Sequence, residues 1–515
     1  MRIKYIYYSF GLVIFLIIIR LFTFCFHCID KSINNSDYYK KYINYNRPKI
    51  FDRNGIILAS NLKVNSLYIN PKLINDVNDT AKAINDIFPD ISLEYLLHKL
   101  KKDNDFAWIK RKISPEEAKK IAISGIPGIF FADEYQRIYP MNELFSHIIG
   151  YVDIDNNGLS GFERYIDKNN ITDNEIKLSL DTRIQSILRE EIQIAIKDNR
   201  AIGGSGMIVS AENNEVIAAV NLPDFNPHYP SAKQNTFNQL TMGRYEFGSI
   251  FKLFTVLMAL DSKKIDIKDT FDISKNIVID RNIIRDMSKR NNKNADINDI
   301  FRLSSNIGIA QIALRIGLDI QREYLKKLKF FDRLPIEIPE QTSTSISSET
   351  RNINVAAMGY GYGISTSLAH ITQAEFIALN GYYKPLTIVL GKNATIIPEQ
   401  ILERKQTSEE LRLLLRNVVL NGTGKKALVS GYDVGGKTGS AEKIINGKYS
   451  KKSNIVSFLG AFPISKPKYM IAIMIDEPLK DEATSRTITS SRVVGPIIKN
   501  TITRIISVLN MVSEK

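Results

Sequence analysis

The stretch that decides the fold is Gly248-Ser249-Ile250-Phe251-Lys252-Leu253-Phe254-Thr255-Val256-Leu257-Met258-Ala259-Leu260. After its Gly-Ser start, the stretch is apolar on nearly every side of a helix, and such a helix belongs at the centre of a domain. Ser249 lies on the predicted first turn, and Lys252 projects from the same face because a helix has about 3.6 residues per turn. The sequence therefore holds an amine beside a hydroxyl.

The neighbours of Lys252 suggest what this pair can do. Aromatic and aliphatic residues around the lysine would exclude water, and desolvation lowers the pKa of a lysine because it disfavours the charged form. A neutral lysine can act as a base towards Ser249. The alternative is a lysine that snorkels out of a buried helix beside an N-capping serine. The S-x-x-K pattern is short and recurs by chance at residues 465–468.

Composition limits the classes of function. The chain has 515 residues, 44% of them hydrophobic, which is enough for more than one domain and a large core. Its net charge of +14 is spread without any nucleic-acid-binding pattern, so we expect no nucleic-acid partner and favour an anionic membrane or cell-wall surface. The five histidines are scattered and H-E-x-x-H is absent, so no metal or other cofactor is expected.

The N-terminal segment predicts a membrane anchor. Ile6 to Cys28 is apolar and long enough to span a bilayer, for which about 20 residues suffice. Arg2 and Lys4 place residues 1–5 in the cytoplasm by the positive-inside rule, so the rest of the chain lies outside. No small-residue cleavage site follows, which favours a retained anchor. Cys25 and Cys28 are interpreted as thiols in an apolar environment.

Two further regions follow the anchor. Residues 31–175 are rich in Lys and Asn and predict an irregular α+β domain, with a hairpin at Asn54-Gly55. Residues 176–515 predict a larger α+β domain whose antiparallel sheet covers a helical core. Its predicted strands are Lys177–Leu180, Gly206–Ser210, Glu215–Val220, Asp433–Ile445, Ser453–Phe462 and Tyr469–Ile475, with a turn at Asn446-Gly447. Its predicted helices are Asp181–Lys197, the stretch quoted above, Ile297–Ile316, Ser367–Asn380 and Val494–Val508.

Two motifs strengthen the interpretation of Ser249 and Lys252. Ser304-Ser305-Asn306 lies inside a predicted helix, and Lys437-Thr438-Gly439 lies on the strand before the Asn446-Gly447 turn. Alone, S-x-N is weak, but S-x-x-K, S-x-N and K-T-G in this order form the signature of penicillin-recognising serine enzymes. Residues 431–438 also fit a phosphate-binding loop, but that loop must open a helix and Gly439 follows directly.

The chain after residue 40 resembles class B penicillin-binding proteins, and is most similar to the division-specific peptidoglycan D,D-transpeptidase. The similar segments are Arg47 to Ala59, Tyr139 to Glu163, Ser179 to Gln185, Tyr245 to Lys252, Gly361 to Thr366, Asn421 to Gly424, Gly436 to Lys443 and Ser457 to Pro478. Pro48, Phe247, Ser367 and Ser440 depart from the family's usual residues. None of these departures removes a reacting group, but Phe247 and Ser440 could retune β-lactam affinity.

The resemblance implies a fold and a mechanism. The fold is a β-lactamase/transpeptidase-like α+β domain, preceded by an elongated α+β pedestal, or dimerisation-like, domain. Ser249 attacks the carbonyl between two D-alanines, Lys252 takes its proton, and Ser304 relays a proton to the leaving group. Asn306 orients the substrate amide, and Lys437 with Thr438 and Gly439 holds the terminal carboxylate. The backbone N–H groups of Ser249 and Ser440 form the oxyanion hole.

The resemblance also implies partners and a location. Substrates are D-Ala-D-Ala stem peptides, with β-lactams as inhibitors, and the partners include the division machinery with a membrane glycan polymerase. The protein would be a single-pass inner-membrane protein at the division site, with its C-terminal domain in the periplasm. An elongation-specific class B transpeptidase and a catalytically idle division scaffold are the alternatives. A secreted β-lactamase would be about half this length and would lack residues 31–175.

Overall fold

A computed structural model describes residue 12 and residues 14–20, 47–230, 235–288, 291–479 and 489–511. Within these residues the chain forms two compact units. The smaller unit includes Asn61–Ile138 and Ile154–Asn156, and the larger one Pro48–Ser60, Tyr139–Asp153 and most of the chain after Asn157. All the residues of the predicted site belong to the larger unit.

The first two strands form the predicted hairpin. Strand β1 (Lys49–Phe51) pairs antiparallel with the start of β2 (Ile57–Ile69), and Gly55 between them has a φ of +86°. The Asp52 carboxylate stabilises the turn by accepting hydrogen bonds from the backbone N–H groups of Asn54 and Ile56. Beyond residue 60, β2 belongs to the smaller unit.

The smaller unit packs three helices on a three-stranded sheet. The remainder of β2 pairs antiparallel with β3 (Ala107–Ile113) and also pairs with β4 (Ile129–Ile138). The helices are α1 (Val77–Ile87), α2 (Leu93–Leu100) and α3 (Pro115–Ser124). Each helix begins after a capping side chain that accepts a backbone N–H, and the core between helices and sheet is aliphatic.

The larger unit is built on a five-stranded antiparallel sheet. In chain order its strands are β6 (Gly203–Ser210), β7 (Val216–Leu222), β8 (Gly435–Ile445), β9 (Lys448–Phe462) and β10 (Tyr469–Asp476). They lie in the order β8-β9-β10-β6-β7, so β8 is an edge strand. A separate strand, β5 (Glu175–Lys177), pairs parallel with β1.

Helices cover both faces of this sheet. On one face pack α6 (Thr182–Asp198) and the last helix, α13 (Ser490–Val508), around a hydrophobic cluster. The other face covers the larger core, which contains α7 (Lys252–Asp261) and α11 (Leu368–Asn380). Every residue of α7 is buried, as its apolar sequence predicts.

Shorter elements complete the larger unit. The remaining helices are α4 (Ser146–Ile149), α5 (Gly161–Lys168), α8 (Ile297–Arg302), α9 (Asn306–Lys327), α10 (Asn352–Gly359) and α12 (Gln406–Asn421). Two-stranded ladders pair Ile277–Ile279 with Asn282–Ile284, Thr270–Phe271 with Ala295–Asp296, Ser345–Ile346 with Ile364–Ser365, and Tyr382–Tyr383 with Glu399–Gln400.

The α+β class and the antiparallel sheet over a helical core are confirmed. Two predictions of elements are wrong. The helix predicted over Ile297–Ile316 is interrupted between α8 and α9, and the strand predicted at Lys177–Leu180 ends at Lys177. Helix α12 is missing from the predicted elements, although its buried Leu411, Leu414, Leu415, Val418 and Val419 recur at helical spacing.

The predicted anchor over Ile6–Cys28 lies mostly outside the described residues. Residues 14–20 within it are helical. Among the residues that the structure describes, no helix has the length and apolar character needed to cross a membrane.

Glu375 places a carboxyl group inside the core. It lies in α11, is fully buried, and neither of its carboxyl oxygens has a hydrogen-bond partner among the described residues. Burial raises the pKa of Glu375 well above its ordinary value, because apolar surroundings disfavour the anion. The carboxyl group therefore lowers the stability of the fold wherever pH would ionise it in the unfolded chain.

We expect Glu375→Gln to become more stable than the wild type as pH rises. Because the folded-state pKa is raised, the wild type is most stable below the unfolded pKa and loses stability as pH rises towards the folded pKa. Gln keeps the shape and has no proton to lose. The difference in unfolding free energy should widen by about 1.4 kcal/mol for each pH unit in that window. Urea unfolding at several pH values measures it.

The exposed Glu212 supplies the control for this experiment. Glu212→Gln should follow the pH dependence of the wild type, since an exposed carboxylate is solvated in both states. A stability difference between Glu375→Gln and the wild type that does not grow with pH would contradict the burial argument.

Candidate active site

Ser249 lies on a tight turn beside the edge strand. The turn is a 3-10 helix, Gly248–Ile250, directly before α7, and Ser249 is half-buried on it. Gly248 has a φ of +51°, and a Cβ added there would lie 2.3 Å from the Ser440 carbonyl oxygen. Only glycine therefore lets the turn lie against β8. The prediction that Ser249 lies on the turn that starts a buried helix at the centre of the domain is confirmed.

Gly439 allows the same approach from the side of β8. A Cβ added to Gly439 would lie 2.5 Å from the carbonyl oxygen of Phe247. Steric crowding therefore requires glycine at this position of the K-T-G motif, in addition to the substrate-binding role predicted from the sequence.

Lys252, the first residue of α7, meets the S-x-N motif. Its side chain is fully buried, and Nζ donates to the Ser304 carbonyl oxygen and to Asn306 Oδ1, each at 2.7 Å. Ser304 Oγ lies 3.2 Å from the same nitrogen. The snorkelling alternative is wrong, because the amine points into the protein. The structure thus brings the first two motifs together.

Ser304 lies in the break between α8 and α9 and not within a helix. Its φ is +55°, a left-handed conformation that non-glycine residues rarely adopt. Ser305, the next residue, caps α9 by accepting the Gly308 N–H at 3.0 Å. The break turns Ser304 towards both lysines of the predicted site.

Asp286 fixes the start of α9, and no motif in the sequence points to it. Its carboxylate accepts from Ser305 Oγ at 2.7 Å and from the backbone N–H groups of Asn306 at 2.6 Å and Ile307 at 3.1 Å. These bonds satisfy N–H groups that a helix start leaves unpaired. Asp286 stands in a polar run without a motif, so no pattern could identify it.

Lys437 approaches Ser304 from the other side. It is fully buried on β8, and Nζ donates to Ser304 Oγ at 2.9 Å and to the Thr438 carbonyl oxygen at 3.0 Å. The Phe301 ring centroid is 6.0 Å from the nitrogen, at the outer limit of a cation–π contact. Burial lowers the pKa of Lys437 to about 7, because desolvation disfavours the ammonium form.

Thr438 and Ser440, which follow Lys437 on β8, contact residues that were not predicted as part of the site. Thr438 Oγ1 donates to Thr423 Oγ1 at 3.0 Å, and Ser440 Oγ lies 2.5 Å from Ser490 Oγ. Thr423 belongs to the Asn421–Gly424 segment already noted as similar to the family, so a signal for it existed. No signal in the sequence points to Ser490.

The site can move protons between a hydroxyl and two amines. Ser304 Oγ lies within hydrogen-bond distance of Lys252 Nζ and Lys437 Nζ, and both lysines are buried. Because burial lowers the pKa of Lys437 to about 7, its amine can accept a proton near neutral pH. The phosphate-loop interpretation is wrong, because Lys437 and Thr438 lie within strand β8 and no helix follows them.

Two family models match the chain. The penicillin binding protein transpeptidase domain matches residues 204–502, which is more than half of the chain. The penicillin-binding protein dimerisation domain matches residues 42–185.

Curated relatives share about a quarter of their residues with this chain. A probable peptidoglycan D,D-transpeptidase PenA of Neisseria meningitidis is 27% identical over 84% of this chain and 80% of its own length. A probable peptidoglycan D,D-transpeptidase FtsI of Caulobacter vibrioides is 28% identical over 89% and 80%. The stage V sporulation protein D of Bacillus subtilis is 26% identical over 96% and 84%.

A solved structure has the same fold. Penicillin binding protein 3 of Mycobacterium tuberculosis, in complex with aztreonam, aligns with a TM-score of 0.71 and 19% identity, over 92% of this chain and 98% of that chain.

The pKa of Lys437 predicts a pH dependence. If its ammonium holds the carboxylate of a bound penicillin, the second-order acylation constant should fall above about pH 7, because the free protein then loses the Lys437 proton. Lys437→Arg keeps its charge throughout, since a guanidinium is not deprotonated in proteins. The ratio of wild-type to Lys437→Arg acylation constants should therefore fall about tenfold per pH unit well above that pKa. Stopped-flow fluorescence with a labelled penicillin measures it.

The ratio of the two acylation constants cancels the effect of other titrating groups, because both proteins share them. A ratio that stays constant, or rises, from neutral to alkaline pH would show that Lys437 does not act through its charge.

Proposed function

This chain belongs to the penicillin-binding protein transpeptidase family, as a class B member of the FtsI type, and we propose that it cross-links septal peptidoglycan during division. The resemblance stated from the sequence is thereby confirmed. The observation that carries the proposal is the meeting of three motifs at Ser304, whose hydroxyl lies 3.2 Å from Lys252 Nζ and 2.9 Å from Lys437 Nζ.

Lys252 serves as the base for Ser249. A neutral amine has two N–H groups, and the two acceptors at 2.7 Å, Ser304 O and Asn306 Oδ1, orient them. The nitrogen lone pair can then receive the proton of Ser249 Oγ while that oxygen attacks the carbonyl between two D-alanines. Asn306 thus positions the base in addition to its proposed contact with the substrate amide.

Ser304 carries the proton onward. Its hydroxyl receives the proton from Lys252 and passes its own proton to the nitrogen of the leaving D-alanine. The C–N bond breaks, and the stem peptide stays as an ester on Ser249. An amine from a neighbouring strand then attacks this ester, the proton returns along the same path, and Ser249 is released with a new peptide cross-link formed.

The N–H groups of Ser249 and Ser440 stabilise the oxyanion. The Ser440 carbonyl oxygen faces Gly248, and in a strand the N–H and C=O of one residue point to the same edge. The Ser440 N–H therefore faces the turn that carries Ser249. In well-studied hydrolases one such donor contributes about 3 to 4 kcal/mol to the transition state.

Lys437, with Thr438 and Gly439 beside it, receives the terminal carboxylate. A bound carboxylate would restore the ammonium form of Lys437 by adding the opposite charge that its buried site lacks. Substrate binding and protonation of this lysine would then be coupled.

We expect a labelled penicillin to form a covalent adduct on Ser249 alone. Lys252→Arg should fold and bind penicillin but acylate slowly, because a guanidinium cannot accept the Ser249 proton. Peptide mapping by mass spectrometry locates the adduct, and stopped-flow fluorescence gives the rate.

Ser465 provides the matched control, since it begins the chance S-x-x-K sequence. Ser465→Ala should label normally and Ser249→Ala not at all. Cells depleted of the wild type should fail to divide when they carry Ser249→Ala. Normal division with that variant would instead assign the protein a scaffolding role, and blocked elongation would assign it to the side wall.

We also propose that Ile6–Cys28 anchors the protein, with a pedestal domain over residues 31–175 and the transpeptidase domain over residues 176–515 in the periplasm. The apolar sequence and the Arg2 and Lys4 charges support this arrangement. The septal role and a membrane glycan polymerase as partner are proposed from the sequence resemblance to division-specific class B transpeptidases alone.

Protease added to spheroplasts should digest both folded domains and leave the anchor. A cytoplasmic protein followed in the same samples controls for lysis. Protection of the C-terminal helix α13 would contradict this orientation.

A further inference from the structure

The peptide bond between Gly439 and Ser440 has a hydrogen-bond network on its carbonyl side. Ser490 Oγ donates to the Gly439 carbonyl oxygen, and Ser457 Oγ donates to the same oxygen at 3.4 Å. Ser440 Oγ lies 2.5 Å from Ser490 Oγ. Since the Ser490 hydrogen is used by the carbonyl, the Ser440 hydroxyl is the donor in that pair.

Ser490 is placed for this contact by the fold. It is the first residue of α13 and is 4% exposed, and α13 packs on the face of the sheet opposite the core that contains α7. Ser457 lies on β9 directly opposite Gly439 in the strand register, and is 2% exposed. The two hydroxyls that donate to the Gly439 carbonyl oxygen are therefore buried, and bulk water competes little for that oxygen.

The two ends of this peptide unit point in opposite directions. The Gly439 C=O and the Ser440 N–H belong to one planar, trans peptide group. The carbonyl points towards β9 and Ser490, whereas the Ser440 N–H faces the turn of Ser249. A donor on the carbonyl oxygen draws electron density towards it and makes the N–H of the same peptide a stronger donor. It also fixes the peptide plane.

We propose that Ser490 is a positioning residue for acyl transfer, acting through the peptide unit whose Ser440 N–H binds the oxyanion. This inference rests on the proposed function. Ser490 touches neither substrate nor Ser249, so it should change the rate of acylation and not the preceding binding of penicillin. It acts with Ser440, whose hydroxyl donates to Ser490 and polarises it in turn.

The test uses full-length protein in detergent. Stopped-flow fluorescence with a labelled penicillin separates the dissociation constant of the first complex from the acylation rate constant. Ser490→Ala should lower the acylation rate constant about three- to tenfold, in line with the loss of one hydrogen bond, and leave the dissociation constant unchanged. Ser490→Thr, which keeps the hydroxyl, should restore the rate.

Phenylboronic acid supplies a second readout. Ser249 Oγ adds to its boron, the serine proton passes to the base, and the resulting tetrahedral anion resembles the oxyanion intermediate. Ser490→Ala should weaken phenylboronic acid binding by the same factor as acylation. Ser507→Ala, which removes an exposed hydroxyl from the same helix, should change neither quantity.

The outcomes separate the two proposals. Wild-type protein that takes no label overturns the proposed function together with this inference. A labelled wild type with equal acylation by Ser490→Ala overturns this inference alone. So does a Ser490→Ala defect that appears in the dissociation constant and the melting temperature but not in phenylboronic acid affinity, since that pattern shows only a packing role.

Discussion

Two fully buried lysines share one hydroxyl, and this constraint governs the site. Lys252 and Lys437 approach Ser304 Oγ from opposite sides, at 3.2 and 2.9 Å. Two ammonium ions so close in a low-dielectric interior would repel each other and lose their hydration. Desolvation lowers the pKa of Lys437 to about 7. In the proposed mechanism Lys252 acts as the base for Ser249, and no histidine takes part.

This arrangement depends on backbone more than on side chains. The left-handed conformation of Ser304 breaks the helix so that its hydroxyl faces both amines, and Asp286 holds that break by capping α9. Strand β8 contributes its outer edge, with which no strand pairs in the part of the chain that the structure describes. An unpaired edge usually invites aggregation. Here the turn of Ser249 covers it, and the Ser440 N–H of that edge is the proposed oxyanion donor.

The sequence predicts elements that depend on neighbouring residues and misses contacts between residues that are far apart in the chain. The apolar run of α7, the Asp181 cap of α6 and the Asn446-Gly447 turn, whose φ values are +51° and +76°, follow from residues that are neighbours in the chain. The break at Ser304 does not, because the apolar period continues through it and Asp286, which accepts two further N–H groups at the start of α9, lies 20 residues before Asn306. Ser490 reaches Gly439 across a longer gap of 51 residues, so only the folded chain shows either contact.

The two departures from the family that were expected to retune β-lactam affinity are not equivalent. Phe247 is 3% exposed, its ring packs edge-on against Tyr245, and its backbone carbonyl oxygen lies where a Cβ on Gly439 would come within 2.5 Å of it. Its replacement of proline thus changes the core beneath the turn and leaves the surface of the cleft to other residues. Ser440, by contrast, is exposed and its hydroxyl joins the network that ends on the oxyanion peptide. A threonine there would add a methyl group beside the substrate while keeping that hydroxyl. Of these two positions, Ser440 is therefore the one at which we expect a substitution to change β-lactam affinity.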